Sequence, residues 1–182
     1  MKITIIGRGN VGGALQSVLS ANGHEVDALG SDGGDAAGAD AVILAVPGGV
    51  VEEALRNVSG LEGKILIDAT NPLQGRPDGV ESLAVLAKSV AGGPTAKAFN
   101  TNFASLFEQA ADAKEPPTMP ICGDDEAVAV AEQLARECGY DPILLGGLEH
   151  ARGLEDYVGG VMIPLVMTRG PFFYRFDWPG ER

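Results

Sequence analysis

Residues 2–21 restrict the fold more than any other part of the chain. Lys2-Ile3-Thr4-Ile5-Ile6 is a short apolar run of strand length. It passes directly into Gly7-Arg8-Gly9-Asn10-Val11-Gly12, and from Val11 to Ala21 the apolar residues recur at helical spacing until Asn22-Gly23 stops them. Three glycines so spaced between a strand and a helix have separate jobs. Gly7 permits the tight turn, Gly9 lets backbone approach a pyrophosphate, and Gly12 lets the helix pack on the strand. The first helical turn adds unpaired N–H groups and the positive end of the peptide dipoles. A lone GxGxxG is weak, but this one heads an alternating α/β chain. Contacts to an NAD(P) dinucleotide are therefore expected from Gly7, Arg8, Gly9, Asn10, Val11 and Gly12.

The rest of the chain continues the alternation. Strands are predicted at Glu25–Leu29, Ala41–Val46, Lys64–Asp68, Thr95–Phe99, Thr118–Cys122 and Pro142–Leu145. Helices are predicted at Val50–Asn57, Val80–Val90, Ala104–Ala111 and Glu126–Cys138, with an interrupted helical stretch from Leu148 to about Met167. No repeat or linker divides the 182 residues, so one domain spans them. Aromatics are only 5% of the chain, which suits Ala- and Val-rich parallel strands under Ala-rich helices. The fold class is a Rossmann-type, doubly wound parallel sheet.

One interval breaks the pattern. Between the second strand and Ala41 lie only Gly30–Asp40, reading GSDGGDAAGAD, which is too short and too Gly-rich for a crossover helix. In the usual strand order a helix and an outer strand belong there. Both are expected to be missing, so that Ala41–Val46 pairs with the first strand and Glu25–Leu29 becomes the sheet edge. The wall flanking the adenine would then be thin.

Charge and cysteine content remove several alternatives. A formal charge of −12 makes nucleic acid and anionic membranes poor partners, although a local nest of N–H groups still attracts an anionic cofactor. The opening apolar run is too short for a signal-peptide core, no run reaches about 20 apolar residues, and a cytoplasmic location is expected. Cys122 and Cys138 fit no metal-ligand spacing; they read as reduced thiols, and no metal is expected.

Cofactor choice turns on the end of the second strand. An NAD site puts a carboxylate there; Asp32 has about the right separation but follows Leu29-Gly30-Ser31, while Asp27 falls mid-strand. Gly30-Ser31 instead leaves room for a 2′-phosphate with the Ser31 hydroxyl as donor, and Arg8 is near enough to add a charge-assisted contact. Arg8 reads equally well as a solvated surface charge. NADP is the expected cofactor and NAD the alternative. Ala45, Val46 and Pro47 lie beyond a strand end, where ribose and nicotinamide would rest. Thr70, Asn71 and Pro72 lie beyond another, and Asn100, Thr101 and Asn102 beyond a third. Their amides and hydroxyls suit a carboxamide or a pyrimidine-like edge, or serve simply as turn and cap groups.

The turn GRGNVG, LAVP at Leu44–Pro47, DATNPL at Asp68–Leu73, KAFNT at Lys97–Thr101 and ARGLE at Ala151–Glu155 resemble, in order and over nearly the full length, the coenzyme F420-dependent NADP oxidoreductases. The related reductase domain of the STEAP metalloreductases shows the same motifs. That resemblance implies hydride exchange between NADPH and a flavin-like ring, with coenzyme F420 or another flavin as co-substrate. The pattern departs at the second strand, where family members commonly carry Gly-Ser-Arg and this chain has Gly30-Ser31-Asp32.

Hydride transfer between stacked rings needs orientation and dryness more than acid–base groups, and no catalytic residue is assigned. His150 reads as a structural or substrate-contact residue. Arg152 and Glu155 are spaced to pair on one helix face. Reduction of a small imine or carbonyl would need His150 or Lys97 as proton donor. A non-catalytic redox sensor or scaffold that binds NAD(P) is the rival to an enzyme acting on a small-molecule acceptor. Five of the ten aromatics crowd into Phe172–Trp178, a lid, a homodimer surface or core packing.

Overall fold

In the computed structural model, which describes residues 1–180, the glycine turn joins strand β1 (Lys2–Ile6) to helix α1 (Asn10–Ala21). Helix α1 stops at Asn22 and Gly23; Gly23 lies at φ +87° and its N–H donates to the Ser20 carbonyl at 3.1 Å. Strand β2 (Glu25–Leu29) pairs parallel with β1. There follow β3 (Gly34–Asp35), β4 (Ala41–Leu44), α2 (Val51–Arg56), β5 (Val58–Ser59), β6 (Ile65–Asp68), α3 (Leu83–Ala91) and β7 (Thr95–Lys97). The chain continues with β8 (Thr118–Gly123), α4 (Asp125–Glu137), β9 (Asp141–Leu144), α5 (Ala151–Tyr157) and α6 (Ile163–Arg169). A π-helical turn, Val158–Met162, joins the last two.

Seven strands form one sheet in the order β2-β1-β4-β6-β7-β8-β9. Strand β4 takes the free side of β1, and β2 is the edge, as the shortened interval requires. No helix lies between β2 and β4. The interval instead contributes β3, which pairs with β5 in a separate two-stranded ribbon. The ribbon is fastened by its surroundings: the Ala36 N–H donates to the Ser59 carbonyl at 2.9 Å, and the Lys64 ammonium donates to the carbonyls of Ala37 and Ala39, both at 2.7 Å. A Gly-rich strap thus replaces the usual crossover helix.

Alternate strand residues supply two cores, because both faces of the sheet are covered. Ile3, Ile5, Ile43 and Ile67 face the side of α1 and α4, with Leu15, Leu19, Ala131 and Leu134. Ile6, Val42, Leu44 and Leu66 face the side of α2 and α3, with Val51, Leu55, Leu83 and Ala87. Each fully buried Leu, Ile or Val contributes roughly 1.5–3 kcal/mol, so these runs fix the register of the sheet.

The sheet is mostly parallel, as the fold class requires, with one antiparallel pair toward its far edge. Strand β8 runs antiparallel to β7, with Lys97 opposite Cys122, and β9 runs parallel to β8. The reason lies in the link between β7 and β8. It carries only a tight 3-10 spiral, Ala104–Asp112, packed on α1. Thr118 begins beside Asn102, whose side-chain amide donates to the Thr118 carbonyl at 3.2 Å. The chain has not returned to the other end of the sheet, so β8 can only run back down. No described helix is long and apolar enough to cross a membrane.

Candidate functional site

The carboxyl ends of β1, β2, β4, β6 and β7 lie along one edge of the sheet, and the loops that leave them enclose three adjoining hollows. The first, about 410 Å³, lies between the glycine turn, Gly30-Ser31 and the start of α2. The second, about 380 Å³, shares Gly9, Ala45, Val46 and Pro47 with the first and reaches Thr70 and Asn71. The third, about 550 Å³, shares Asn10, Val11, Ala69, Asn71 and Leu73 with the second. It extends between the 99–105 loop and the end of α5, where Val158, Met162 and Ile163 form its wall. Together they make a continuous trench.

The glycines stand where their separate jobs need them. Gly7 has φ +118°, and a Cβ there would overlap the Ala45 carbonyl. A Cβ on Gly12 would overlap the Gly7 carbonyl, so α1 packs against the strand only because Gly12 is bare. At Gly9, by contrast, a Cβ would meet nothing within 4 Å: the space above it is open trench.

Arg8 is anchored at its root. Its Nε donates to the Ala28 carbonyl at 2.8 Å, and a Cβ added to Gly30 would lie 3.5 Å from one guanidinium nitrogen. Ser31 lines the same hollow as Arg8. Asp32 does not line it; the Gly33 N–H closes the turn on the Gly30 carbonyl at 3.2 Å.

Deeper in the trench, the β6 and β7 loops are bound together. The Asn71 amide donates to the Asn100 carbonyl at 2.8 Å, and the Asn100 amide donates to Asn71 Oδ1 at 3.0 Å. Asn100 Oδ1 and Thr70 Oγ1 are both buried without a partner. Phe99, buried before Asn100, lies at φ +62°, a left-handed conformation that costs a non-glycine residue roughly 1–3 kcal/mol. Its ring meets Phe107 edge-on at 6.1 Å, and this packing holds the strained turn.

Beneath these loops lies an ionic cluster that the sequence reading missed. The Lys97 ammonium, with no exposed surface, donates to Asp68 Oδ2 at 2.7 Å, the Thr70 carbonyl at 2.6 Å and Glu155 Oε1 at 3.0 Å. Glu155 also accepts from the Leu83 N–H at 2.8 Å and from Arg76 at 2.8 Å. The cluster ties the β6 loop to α5 and so sets the trench's far wall. Its one sequence signal was charge at inward-facing strand positions, Asp68 in KILID and Lys97 in TAKAF.

Several expectations are corrected here. His150 is far from the trench. The Gly123 N–H donates to the Gly146 carbonyl, and Gly123 pairs with Ala96, so the stretch leading to His150 lies at the amino end of the parallel strands. Half of the His150 side chain is exposed, and its nearest charged neighbour is Glu149 at 3.7 Å. The antiparallel turn of β8 and β9 carried it there. Arg152 pairs with Asp156 at 3.3 Å, not with Glu155, which points into the protein. Lys97 is closed off from any substrate. Gly12 and Pro72 do not line the hollows; Pro72 packs behind Gly48. Burial pushes the Cys122 and Cys138 thiols up to about 12, so neither is a ready nucleophile. No group of His, Cys, Asp and Glu that could hold a metal occurs among the described residues.

Among the described residues no part of the tail lines the trench; it lies against the 99–105 loop and β8. Tyr174 donates its hydroxyl to Thr101 Oγ1 at 2.8 Å and accepts at its carbonyl from the Thr118 N–H at 2.9 Å. Phe172 meets Phe103 edge-on at 5.2 Å, while Phe176 and Trp178 stay largely exposed. The tail braces the 99–105 loop from outside.

Comparison with known proteins agrees with this geometry. The model of a family described as NADP oxidoreductase, coenzyme F420-dependent, matches residues 26–72, from β2 through the Asn71 loop. A solved structure from Arthrobacter sp. FB24, assigned as an F420-dependent NADP reductase, is 27% identical; the alignment covers 98% of this chain and 99% of that one, with a TM-score of 0.82. A Sinorhizobium meliloti protein of unassigned function is 26% identical over 83% of this chain and 88% of its own, with a TM-score of 0.67. A reductive aminase from Aspergillus terreus, solved with NADPH, shares the fold at 18% identity, over 92% of this chain and 63% of its own, with a TM-score of 0.67. No curated protein matches the sequence. The chain is thus similar to the coenzyme F420-dependent NADP oxidoreductases, through the family model over residues 26–72 and through the Arthrobacter structure over nearly its full length.

Proposed function

We propose that the protein moves a hydride between NADPH and a flavin-like acceptor, a deazaflavin of the coenzyme F420 type before any other. One observation carries this reading. Among the described residues no titratable side chain lines the second or the third hollow, only apolar groups and neutral amides and hydroxyls. An imine or carbonyl becomes strongly basic as it takes a hydride, and needs a proton donor at hand. A flavin-type ring spreads the new charge into its pyrimidine and takes its proton from water. Ring-to-ring transfer is the chemistry that this lining suits.

The residues fit the two partners in order along the trench. The open space over Gly9 and the unpaired N–H groups of α1 suit a pyrophosphate, with Asn10 and Val11 beside it. Ala45, Val46 and Pro47 would support the ribose and nicotinamide, and the unpartnered Thr70 hydroxyl would take a bond from the carboxamide. When bound, the dinucleotide supplies the hydride. Asn71, Asn100 and Thr101 would orient the acceptor's polar edge, while Val11, Phe99, Val158 and Met162 keep water from its face. Their task is to hold two ring faces about 3–3.5 Å apart.

Isotope tracing tests the proposal. With NADPH deuterated at the transferable position, the label should appear on the ring carbon of the reduced deazaflavin, in the presence of this protein only. Unlabelled product, or none, would reject direct transfer.

A further inference from the structure

We infer that Arg8, in the glycine turn, selects the phosphorylated ribose of the dinucleotide, and that the end of the second strand contributes room and no charge. The inference rests on the proposed dinucleotide site and adds which group on this chain reads the 2′-phosphate.

Three observations carry it. First, Arg8 is a spare cation in an acidic chain. With 25 carboxylate and 13 basic side chains, Lys2, Arg56, Arg76, Lys88, Lys97, Arg136, Arg152 and Arg175 each lie against a carboxylate. Among the described residues no carboxylate lies within 4 Å of Arg8, Lys64, Lys114 or Arg169, and of these four only Arg8 lines the trench. Second, the side chain is directed. The bond from Nε to the Ala28 carbonyl uses one donor and fixes the guanidinium beside Gly30, leaving its two outer nitrogens free. Those nitrogens carry the paired donors that suit a phosphate. Third, the position where the second strand ends is built to be empty. Gly30 brings no side chain into the hollow, Ser31 adds a hydroxyl to it, and Asp32 does not line it, beyond a turn closed by the Gly33 N–H on the Gly30 carbonyl. Among the described residues Arg8 is the one cation that lines this hollow and Glu53, across it on α2, the one carboxylate.

The cation of this hollow thus stands in the glycine turn and not at the end of the second strand. Because Arg8 is exposed, its pull on a phosphate should weaken as salt screens it.

Calorimetric titration of the full chain with NADP+ and NAD+, and with adenosine 2′,5′-diphosphate and ADP, tests this without any acceptor. The parent should bind each 2′-phosphorylated ligand about ten- to a hundredfold more tightly than its partner, a gap that narrows with salt. Arg8→Ala should close most of the gap by weakening the phosphorylated ligands, with NAD+ affected far less and the melting temperature unchanged. Arg8→Lys should keep part of it. Equal affinities in the parent, or a gap that survives Arg8→Ala, would overturn the inference and leave the hydride proposal standing. Failure of all four ligands to bind would overturn both.

Discussion

Asn71 and Asn100 fix each other's amide orientation. The Asn100 backbone carbonyl can only accept, so the Asn71 atom that meets it at 2.8 Å is its NH2 group. Asn71 Oδ1 then faces Asn100 and takes the Asn100 NH2 at 3.0 Å. Asn100 Oδ1 is left over, buried and unpartnered beside the third hollow. The hydrogen-bond network itself sets an assignment that is ordinarily ambiguous. What the pair leaves unsatisfied is an acceptor, which suits a ligand with an N–H edge.

Replacing Asn100 by Ala should therefore raise KM for a flavin-type acceptor about tenfold, the worth of one hydrogen bond, while NADPH affinity changes less than about threefold. Steady-state kinetics with each substrate varied in turn gives both numbers. An equal loss in both would move Asn100 to the cofactor's side of the trench.

Gly9→Val puts a branched side chain into open trench rather than into protein. Dinucleotide binding should be lost by calorimetry while the melting temperature stays within about 2 °C of the parent, since little packing changes. Retained binding would remove the glycine turn from the site.

Lys97→Met leaves Asp68 and Glu155 buried without their cation. Breaking such a cluster from one side typically costs about 3–5 kcal/mol, on the order of 10 °C in melting temperature for a chain of this size. Adding Asp68→Asn and Glu155→Gln should recover much of the loss. A Lys97→Met protein that melts like the parent would show that the cluster does not tie α5 to the sheet.

His150→Ala should leave turnover within about twofold of the parent, because His150 stands at the opposite end of the sheet from the trench. Ending the chain at Gly170 should do the reverse. It removes Tyr174 from Thr101 and Phe172 from Phe103, so KM for the acceptor should rise while NADPH still binds. Turnover measurements on the two variants separate these outcomes.

The order of elements and the near end of the site were legible because local rules govern them. A glycine whose Cβ would strike a carbonyl, as at Gly7 and Gly12, can be read from spacing alone. The missing crossover helix was equally plain, since eleven Gly-rich residues cannot build one. Strand direction at β8 was not legible. It depends on where the 3-10 spiral leaves the chain, and that misreading carried His150 into the wrong half of the molecule. The Lys97 cluster was hidden for a related reason: Asp68, Lys97 and Glu155 come from three separate elements that only the folded sheet brings together. The helix at Leu83 starts later than Val80 because Ser82 caps it, its hydroxyl accepting from the Val85 N–H at 3.1 Å.

Transfer of hydride to a flavin-like ring is the central claim, and the loss of NADPH absorbance tests it most directly. The full chain is mixed with NADPH and, in separate runs, with a deazaflavin coenzyme, FMN, FAD and riboflavin. The deazaflavin should be reduced fastest, in step with NADPH consumption and only when the protein is present, because the lining of the third hollow offers orientation and dryness rather than acid–base groups. Tight NADPH binding with no turnover on any of these acceptors would contradict the account and leave a non-catalytic cofactor sensor as the better description.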